Sequence, residues 1–174
     1  YGDHRDLHLS IRRQRQMCIR DSDIVHLHRG YVSDCTRMFC AGSLDEESIG
    51  RLDDMAEIRD AIVASLGSGD NCSEAWRIGN GMAGEMGYSE HLMGMSPEQA
   101  AFLGHSVGLE LDETPVIAER FDRELPVGGT MAIEPKVIYD SGAIGTEDTF
   151  TRTADGMECL TMGDSWGLLT EWDE

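Results

Sequence analysis

Alternating apolar and polar positions near the start of the chain predict a β-hairpin. Residues 23–28, with the sequence DIVHLH, alternate and include β-branched side chains, which is typical of a strand. Arg29 and Gly30 predict a turn, and residues 31–39 predict the returning strand. The pattern therefore predicts two antiparallel strands joined by a short turn.

Apolar residues at helical spacing predict a first helix over residues 44–66. Ser43 and Glu46 fit a capping box, in which each side chain satisfies a free backbone amide of the first turn. Gly67 fits a C-terminal stop because glycine adopts the left-handed conformation that ends many helices. We expect the helix to pack its apolar stripe on the sheet.

A second helix is predicted over residues 73–86, with Ser73 as its cap. Three glycines inside this range lower its helix propensity. Ser96 and Pro97 predict one short helical turn. Strands dominate the remainder, most clearly over residues 105–111, 130–138, 143–152 and 158–161. The order of a hairpin, two helices and then strands predicts an α+β fold.

The composition supports one packed domain and excludes some partners. The chain has 174 residues, of which 40% are hydrophobic, and no apolar run approaches the length of a membrane span. The 33 acidic residues outnumber the 14 basic ones, giving a formal charge of −19. Because such a surface repels phosphate backbones, we expect no nucleic-acid partner and no membrane partner.

Residues 1–22 differ in charge from the rest of the chain. They carry a net charge of +2, whereas residues 23–174 carry −21. The stretch IRRQRQMCIRDS has no clear helical period and looks like translated sequencing-adapter read-through, although a native basic arm is the alternative. We expect residues 1–22 to be a non-native tail and the native chain to have lost its upstream part.

The cysteines predict neither a zinc site nor a secreted protein. Neither a C-x-x-C spacing nor a secretory signal is present, so we expect reduced thiols and a cytoplasmic location. The five cysteines are Cys18, Cys35, Cys40, Cys72 and Cys159.

Four carboxylates and one imidazole lie where strands could bring them together. These residues are Asp23, Asp34, His105, Glu134 and Glu147. Such a set suits divalent metal ions, which would offset the crowded negative charge. Any one of the 33 acids, taken alone, is more simply a solvated surface residue, and His105 alone is more simply a structural histidine. Spacing and composition leave both interpretations open.

Four segments, in order over residues 23–174, resemble the pita-bread metallopeptidase family of methionine aminopeptidase, aminopeptidase P and prolidase. The family's hairpin, with two metal-binding aspartates eleven residues apart, is matched by DIVHLHRGYVSDCTRMF. Its histidine segment is matched by GHSVGLELDETP, and its first glutamate segment by AIEP. Its closing hairpin is matched by GTEDTFTRTADGMECLT. The resemblance implies that residues 23–174 form the C-terminal portion of the catalytic domain, with a curved antiparallel sheet and helices on one side.

The resemblance also implies a dinuclear metal-dependent aminopeptidase or dipeptidase that acts at Xaa-Pro bonds of short peptides. Asp34 and Glu147 would bridge two ions, manganese or cobalt with iron or zinc as alternatives. Asp23 would complete one ion, and His105 and Glu134 the other. A hydroxide bridging the ions would attack the peptide carbonyl, and Glu134 would be the catalytic residue that carries its proton to the leaving amine.

Three positions depart from the family pattern. Many members carry a second histidine seven residues after the ligand histidine, where this chain has Asp112, which we take as a candidate substrate-binding residue. The family often has glycine where this chain has Lys136, its only lysine. Prolidase-like members often have arginine at the position of Gly145. These departures leave substrate handling open.

Two other functions remain open on the same fold. One is a binding or assembly role without peptidase activity, and the other is a metal-dependent hydrolase or lyase of small molecules. The longer parent protein could form a homodimer. We expect the 174-residue chain itself to bind metal weakly and to have little peptidase activity, because the missing half would supply one wall of the substrate cleft.

Overall fold

The computed structural model describes residues 19–41, 44–161 and 166–169. The helices are α1, Glu46–Ser68, and α2, Cys72–Glu85. The hairpin strands are β1, Ile19–His28, and β2, Tyr31–Ala41. The remaining strands are β3 Gly94–Met95, β4 Glu98–Gln99, β5 Phe102–Ser106, β6 Glu113–Ala118, β7 Thr130–Ile133, β8 Lys136–Tyr139, β9 Gly142–Gly145, β10 Asp148–Thr153, β11 Gly156–Cys159 and β12 Trp166–Leu169.

The sheets confirm the predicted α+β class. The largest has five antiparallel strands in the order β11-β10-β7-β5-β6, and a second has the order β1-β2-β12. The pairs β3-β4 and β8-β9 form two small ribbons. A bridge between Thr36 and Glu147 joins the hairpin to the strand connection that precedes β10. The hairpin therefore lies beside the end of the main sheet.

The core lies between the helices and the five-stranded sheet. Helix α1 contacts β10 and β11, and α2 contacts β5 and β6. The buried face of α1 carries Met55, Ile58 and Ile62, each with no exposed surface. Burying each of these side chains contributes about 1.5–3 kcal/mol relative to leaving it in water. Neither described helix is both long enough and apolar enough to cross a membrane.

The predicted ends of α1 are wrong by a few residues. Its N-cap is Asp45, whose side chain accepts a hydrogen bond from the amide of Ser48 at 2.7 Å, and the proposed cap Ser43 lies outside the described residues. Its C-cap is Gly69, with a φ of 102°, not Gly67. The sequence offers Ser43 or Asp45 as the N-cap and Gly67 or Gly69 as the end of the helix. The helix uses the second residue of each pair.

Helix α2 begins one residue earlier than predicted and has a different cap. The side chain of Asn71 accepts a hydrogen bond from the amide of Glu74 at 2.9 Å. The hydroxyl of Ser73, the predicted cap, instead donates to Asn71 and to Asp122. The helical turn predicted after Ser96 is also wrong, because these residues form the tight connection between β3 and β4.

The strand predictions fail at two glutamates. Glu134 and Glu147 were expected inside continuous strands, but β7 ends at Ile133 and β10 begins after Glu147. Pro135 has no amide to donate to a ladder, so the chain leaves one sheet there and enters the β8-β9 ribbon. The strand expected over residues 105–111 is also displaced, because β5 ends at Ser106. Both glutamates therefore lie at breaks between strands.

Gly104 is expected to tolerate no side chain. A Cβ atom there would lie 2.3 Å from the carbonyl oxygen of Ala132 and 2.9 Å from Cδ1 of Ile117. We expect Gly104→Ala to lower the free energy of unfolding by about 2–3 kcal/mol, because β5 must move away from β7. Urea unfolding measures this change. The matched control is Gly81→Ala on α2, where a Cβ atom meets nothing within 4 Å, and we expect it to be neutral or stabilising. Equal effects of both substitutions would contradict the prediction.

Candidate metal centre

The hairpin places two aspartates on the same face. Asp23 pairs with Thr36, and Asp34 pairs with Val25, so the two carboxylates lie two positions apart along one side of β1-β2. Asp34 is buried, whereas Asp23 is exposed at the edge. The hydroxyl of Thr149 holds the Asp34 backbone, accepting from its amide at 3.0 Å and donating to its carbonyl at 2.7 Å. The main sheet therefore fixes the position of Asp34.

His105 presents one ring nitrogen to the acidic residues. Its Nδ1 lies 3.1 Å from the carbonyl oxygen of Ser106, and because a carbonyl oxygen can only accept, Nδ1 is the donor of this hydrogen bond. Its Nε2 lies 3.5 Å from Oε1 of Glu134, 3.5 Å from Oδ1 of Asp112 and 3.8 Å from Oδ2 of Asp34. With Nδ1 turned to the backbone, Nε2 is the ring nitrogen that faces the acidic residues and could ligate a cation.

Glu134 and Glu147 are held at the two strand breaks. The amide of Glu134 donates to the carbonyl of Leu103 at 3.0 Å. The amide of Thr36 donates to the carbonyl of Glu147 at 3.2 Å, and the hydroxyl of Thr36 donates to Oε2 of Glu147. The Nζ of Lys136 lies 2.8 Å from Oε2 of Glu134 and 3.9 Å from Oε2 of Glu147. A lysine ammonium thus bridges the two carboxylates.

The cluster has the donor set of a divalent cation site. Asp34, His105 and Glu147 are buried, and each offers one ligand atom within 4.8 Å of the others. Oδ1 of Asp34 is buried without a hydrogen-bond partner among the described residues. A buried carboxylate oxygen without a partner is costly unless a cation or another group satisfies it. The residues present therefore fit a metal ion.

Burial and mutual repulsion raise the pKa values of two of the carboxylates. Burial, followed by the hydrogen bond and charge of Asp23, raises the pKa of Asp34 to about 6, although His105 acts in the opposite direction. Burial, followed by the charge of Glu134, raises the pKa of Glu147 to about 8, against the opposing effect of Thr36. The cluster therefore has too little positive charge to balance its carboxylates. A cation would bind more tightly at pH values above these pKa values, where the carboxylates are deprotonated.

Lys136 supplies part of the missing positive charge. Burial alone would lower the pKa of its amine, but the charge and hydrogen bond of Glu134, followed by the charges of Glu147 and Asp23, raise it above its usual value. Only 19% of its side chain is exposed. Lys136 is therefore a partly buried ammonium within the acidic cluster.

The structure brings most of the sequence-predicted residues together. Asp34, His105, Glu134 and Glu147 converge, and Asp23 stands at the exposed rim beside Asp34. The side chain of Asp112 is 77% exposed but still reaches Nε2 of His105. Their roles as ligands or in substrate binding remain predictions.

Lys136 and Thr36 also contact the cluster, although the sequence pattern assigned neither of them a role. Lys136 stands out in the sequence because the family often has glycine there, but this departure does not indicate what the lysine contacts. The two-residue spacing of Thr36 from Asp34, which places both side chains on one strand face, was a usable signal for Thr36.

Two ion pairs of the buried Asp148 support the backbone beside Glu147. Asp148 accepts from Arg37 at 2.8 Å and from Arg59 at 3.4 Å. Arg37 also donates to the carbonyl of Glu147 at 3.1 Å. These contacts join the hairpin, α1 and β10 next to the carboxylate cluster.

Comparisons with known proteins agree with this arrangement. The chain is 31% identical over 140 residues to an Xaa-Pro dipeptidase from Pyrococcus horikoshii, an alignment that covers 80% of this chain and 38% of the relative. The chain thus spans well under half the length of the curated relatives it matches.

Solved structures share the fold. The prolidase from Pyrococcus furiosus superimposes with a TM-score of 0.75 at 28% identity, covering 84% of this chain and 42% of the prolidase chain. An X-Pro aminopeptidase from Thermotoga maritima superimposes with a TM-score of 0.78 at 22% identity, covering 87% of this chain and 42% of the other. The fold is therefore the expected partial pita-bread domain. Residues 10–154 match the family model "Metallopeptidase family M24", and the chain belongs to that family.

Proposed function

We propose that this chain carries the metal centre of a peptidase that cleaves Xaa-Pro bonds in short peptides. The observation that carries the proposal is the buried group of Asp34, His105 and Glu147, in which one oxygen of Asp34 has no partner among the described residues. The name of the Pyrococcus horikoshii relative, Xaa-Pro dipeptidase, supports the substrate class. The family supports a divalent metal requirement.

Two divalent ions, manganese or cobalt, are the proposed cofactors. Asp34 and Glu147 would be shared between them, with Asp23 on one side and His105 and Glu134 on the other. When bound, such ions lower the pKa of water toward neutrality and polarise a peptide carbonyl. The carboxylate oxygens and the imidazole suit ions of this type.

Glu134 is the proposed proton carrier. Its side chain is about one-tenth exposed, so it can reach a water molecule at the edge of the cluster while its own position stays fixed. Its two oxygens face different partners, with Oε1 toward His105 and Oε2 toward Lys136. A carboxylate held in this way can accept a proton from water and return it to the leaving amine.

Asp112 is the proposed contact for the charged amine of the substrate. Its carboxylate is exposed and lies 3.5 Å from Nε2 of His105, which places a negative charge at the entrance to the cluster. A peptide with a free α-amino group carries a positive charge at neutral pH, and the two charges attract. Asp112 would thus orient the amino end of the substrate.

Turnover of an Xaa-Pro dipeptide with Mn²⁺ or Co²⁺ tests the proposal. We expect a longer protein containing this sequence to hydrolyse the dipeptide, and the 174-residue chain to show little turnover. Asp34→Ala should lower kcat/KM by about 1,000-fold or more, because it removes a shared ligand. Asp60→Ala, at an exposed carboxylate on α1, is the control and should leave turnover unchanged. Activity that survives Asp34→Ala, or a metal-loaded longer protein without turnover, would contradict the proposal.

A further inference from the structure

A threonine side chain joins the backbone of Asp34 to the main sheet. An antiparallel ladder continued from the bridge between Thr36 and Glu147 would place Asp34 opposite Thr149 at the next pair of the same kind. The Asp34 amide instead donates to Oγ1 of Thr149 at 3.0 Å, and this hydroxyl donates to the Asp34 carbonyl at 2.7 Å. One hydroxyl therefore takes the place of two backbone groups.

The backbone of Thr149 is already occupied by the segment that follows β11. Its amide donates to Oγ1 of Thr161 at 3.1 Å, and its carbonyl accepts from the amide of Leu160 at 2.8 Å. The hydroxyl of Thr161 donates in turn to the buried carboxylate of Asp148 at 2.8 Å. The Thr149 hydroxyl therefore extends toward Asp34 from a backbone that is fixed on its other side.

The burial of this contact links it to the Asp34 carboxylate. Thr149 and Asp34 are both buried, and a buried amide and carbonyl without partners are costly. Without the hydroxyl, β2 must move to give these two groups other partners. Such a movement displaces the Asp34 carboxylate, whose Oδ1 has no hydrogen-bond partner among the described residues.

We propose that Thr149 is a positioning residue of the metal centre. Its hydroxyl holds the Asp34 backbone where the Asp34 carboxylate can meet an ion together with His105 and Glu147. This inference rests on the metal centre of the proposed function. The proton and a lone pair of the hydroxyl are both used by the Asp34 backbone, so Thr149 acts through Asp34 and not on the ion.

Thr149→Val tests the inference because valine keeps the branched shape and lacks the hydroxyl. Titration calorimetry of the metal-free chain with MnCl₂ at pH 8 should show an affinity lower by about 10- to 100-fold, the usual effect of losing a group that orients a ligand. Thr149→Ser retains the hydroxyl and should recover most of the affinity. Thr151→Val is the matched control on the same strand, because the Thr151 hydroxyl donates to the carbonyl of Gly129 at 3.2 Å, and it should leave the affinity unchanged.

Amide hydrogen exchange of the metal-free chain, followed by NMR, is a readout that needs no ion. In the unmodified chain the Asp34 amide should exchange as slowly as the Glu134 amide, which donates to the carbonyl of Leu103. Thr149→Val should speed exchange at Asp34 by about tenfold or more relative to Glu134, because the loss is local. A general loss of stability would speed exchange at both amides.

The possible outcomes distinguish the inference from the proposed activity. A fast-exchanging Asp34 amide in the unmodified chain would overturn the inference without any variant. Equal Mn²⁺ affinities of Thr149→Val and Thr151→Val, no recovery in Thr149→Ser, or an unchanged exchange ratio would also overturn it. Binding of no ion by the unmodified chain would overturn the metal centre together with the inference. The expected effects of Thr149→Val, without peptidase turnover in a longer protein, would contradict the proposed activity alone.

Discussion

Glu147→Gln is expected to lower the affinity for Mn²⁺ at pH 8 by about 100-fold or more and, at the same pH, to stabilise the metal-free chain. The first effect follows because the substitution removes a charged ligand from the buried group formed with Asp34 and His105. The second follows because Glu147 is 2% exposed and lies beside other carboxylates, so its ionised form is costly in the folded chain. Titration calorimetry and urea unfolding measure the two effects.

The pH dependence separates these effects. Glu147 has a usual pKa of 4.5, which burial raises to about 8 in the folded chain. The folded state therefore holds a proton that the unfolded state releases between these values, and the metal-free chain loses stability as the pH rises from about 4.5 to about 8. Metal binding has the opposite sign, because an ion binds the deprotonated carboxylate and gains affinity over the same range.

Glu147→Gln should remove the decrease in the free energy of unfolding that Glu147 causes between about pH 4.5 and about pH 8. Urea unfolding of the metal-free chain at pH 5 and pH 8 compares the two slopes. Glu57→Gln, at an exposed position of α1, is the matched control and should follow the unmodified chain at both pH values. Parallel profiles for Glu147→Gln and the unmodified chain would show that this carboxylate does not hold a proton in the folded state.

Asp148→Asn is expected to lower the free energy of unfolding by about 3 kcal/mol. Asp148 is 2% exposed and accepts from Arg37, Arg59 and the hydroxyl of Thr161. The side chains of Arg37 and Arg59 are each 15% exposed, so Asp148→Asn removes a buried counter-charge from two partly buried guanidinium groups. Chemical denaturation of the metal-free chain measures the loss.

Asp60→Asn is the matched control because Asp60 also binds Arg59, at 2.8 Å, but is 68% exposed. An exposed ion pair contributes little, and we expect a change below about 1 kcal/mol. If the two substitutions cost the same, burial would not be the source of the effect.

The hydrophobic pattern predicted the elements better than their ends. Leu52, Met55 and Ile62 stand at the helical spacing that predicts α1, and all three are buried. Arg59, at the same spacing, is only partly buried. The ends depended on a choice between equivalent residues, such as Gly67 and Gly69, which only the final backbone conformation distinguishes. Local sequence does not encode that choice because both glycines can adopt a positive φ.

The convergence of the carboxylates with His105 could be predicted from the resemblance and not from spacing. These residues come from the hairpin and from two distant strand breaks, and Glu147 lies 111 positions after its neighbour Thr36. Among 33 acidic residues, no periodicity marks these few as convergent. The contact between Lys136 and Glu134 had the same signal as that between Thr36 and the cluster, because residues two apart in a strand share a face.

The two strand breaks face each other across one long hairpin. Ile133 pairs with Asp148 before the breaks, Lys136 pairs with Gly145 beyond them, and the amide of Thr146 donates to the carbonyl of Pro135 between them. The separation of the two glutamates is therefore set at the base of the β8-β9 ribbon and is independent of its tip. The exposed tip, Asp140 and Ser141, is consequently a permissive site where a fluorescent reporter or an immobilisation tag can be inserted without altering the carboxylate cluster.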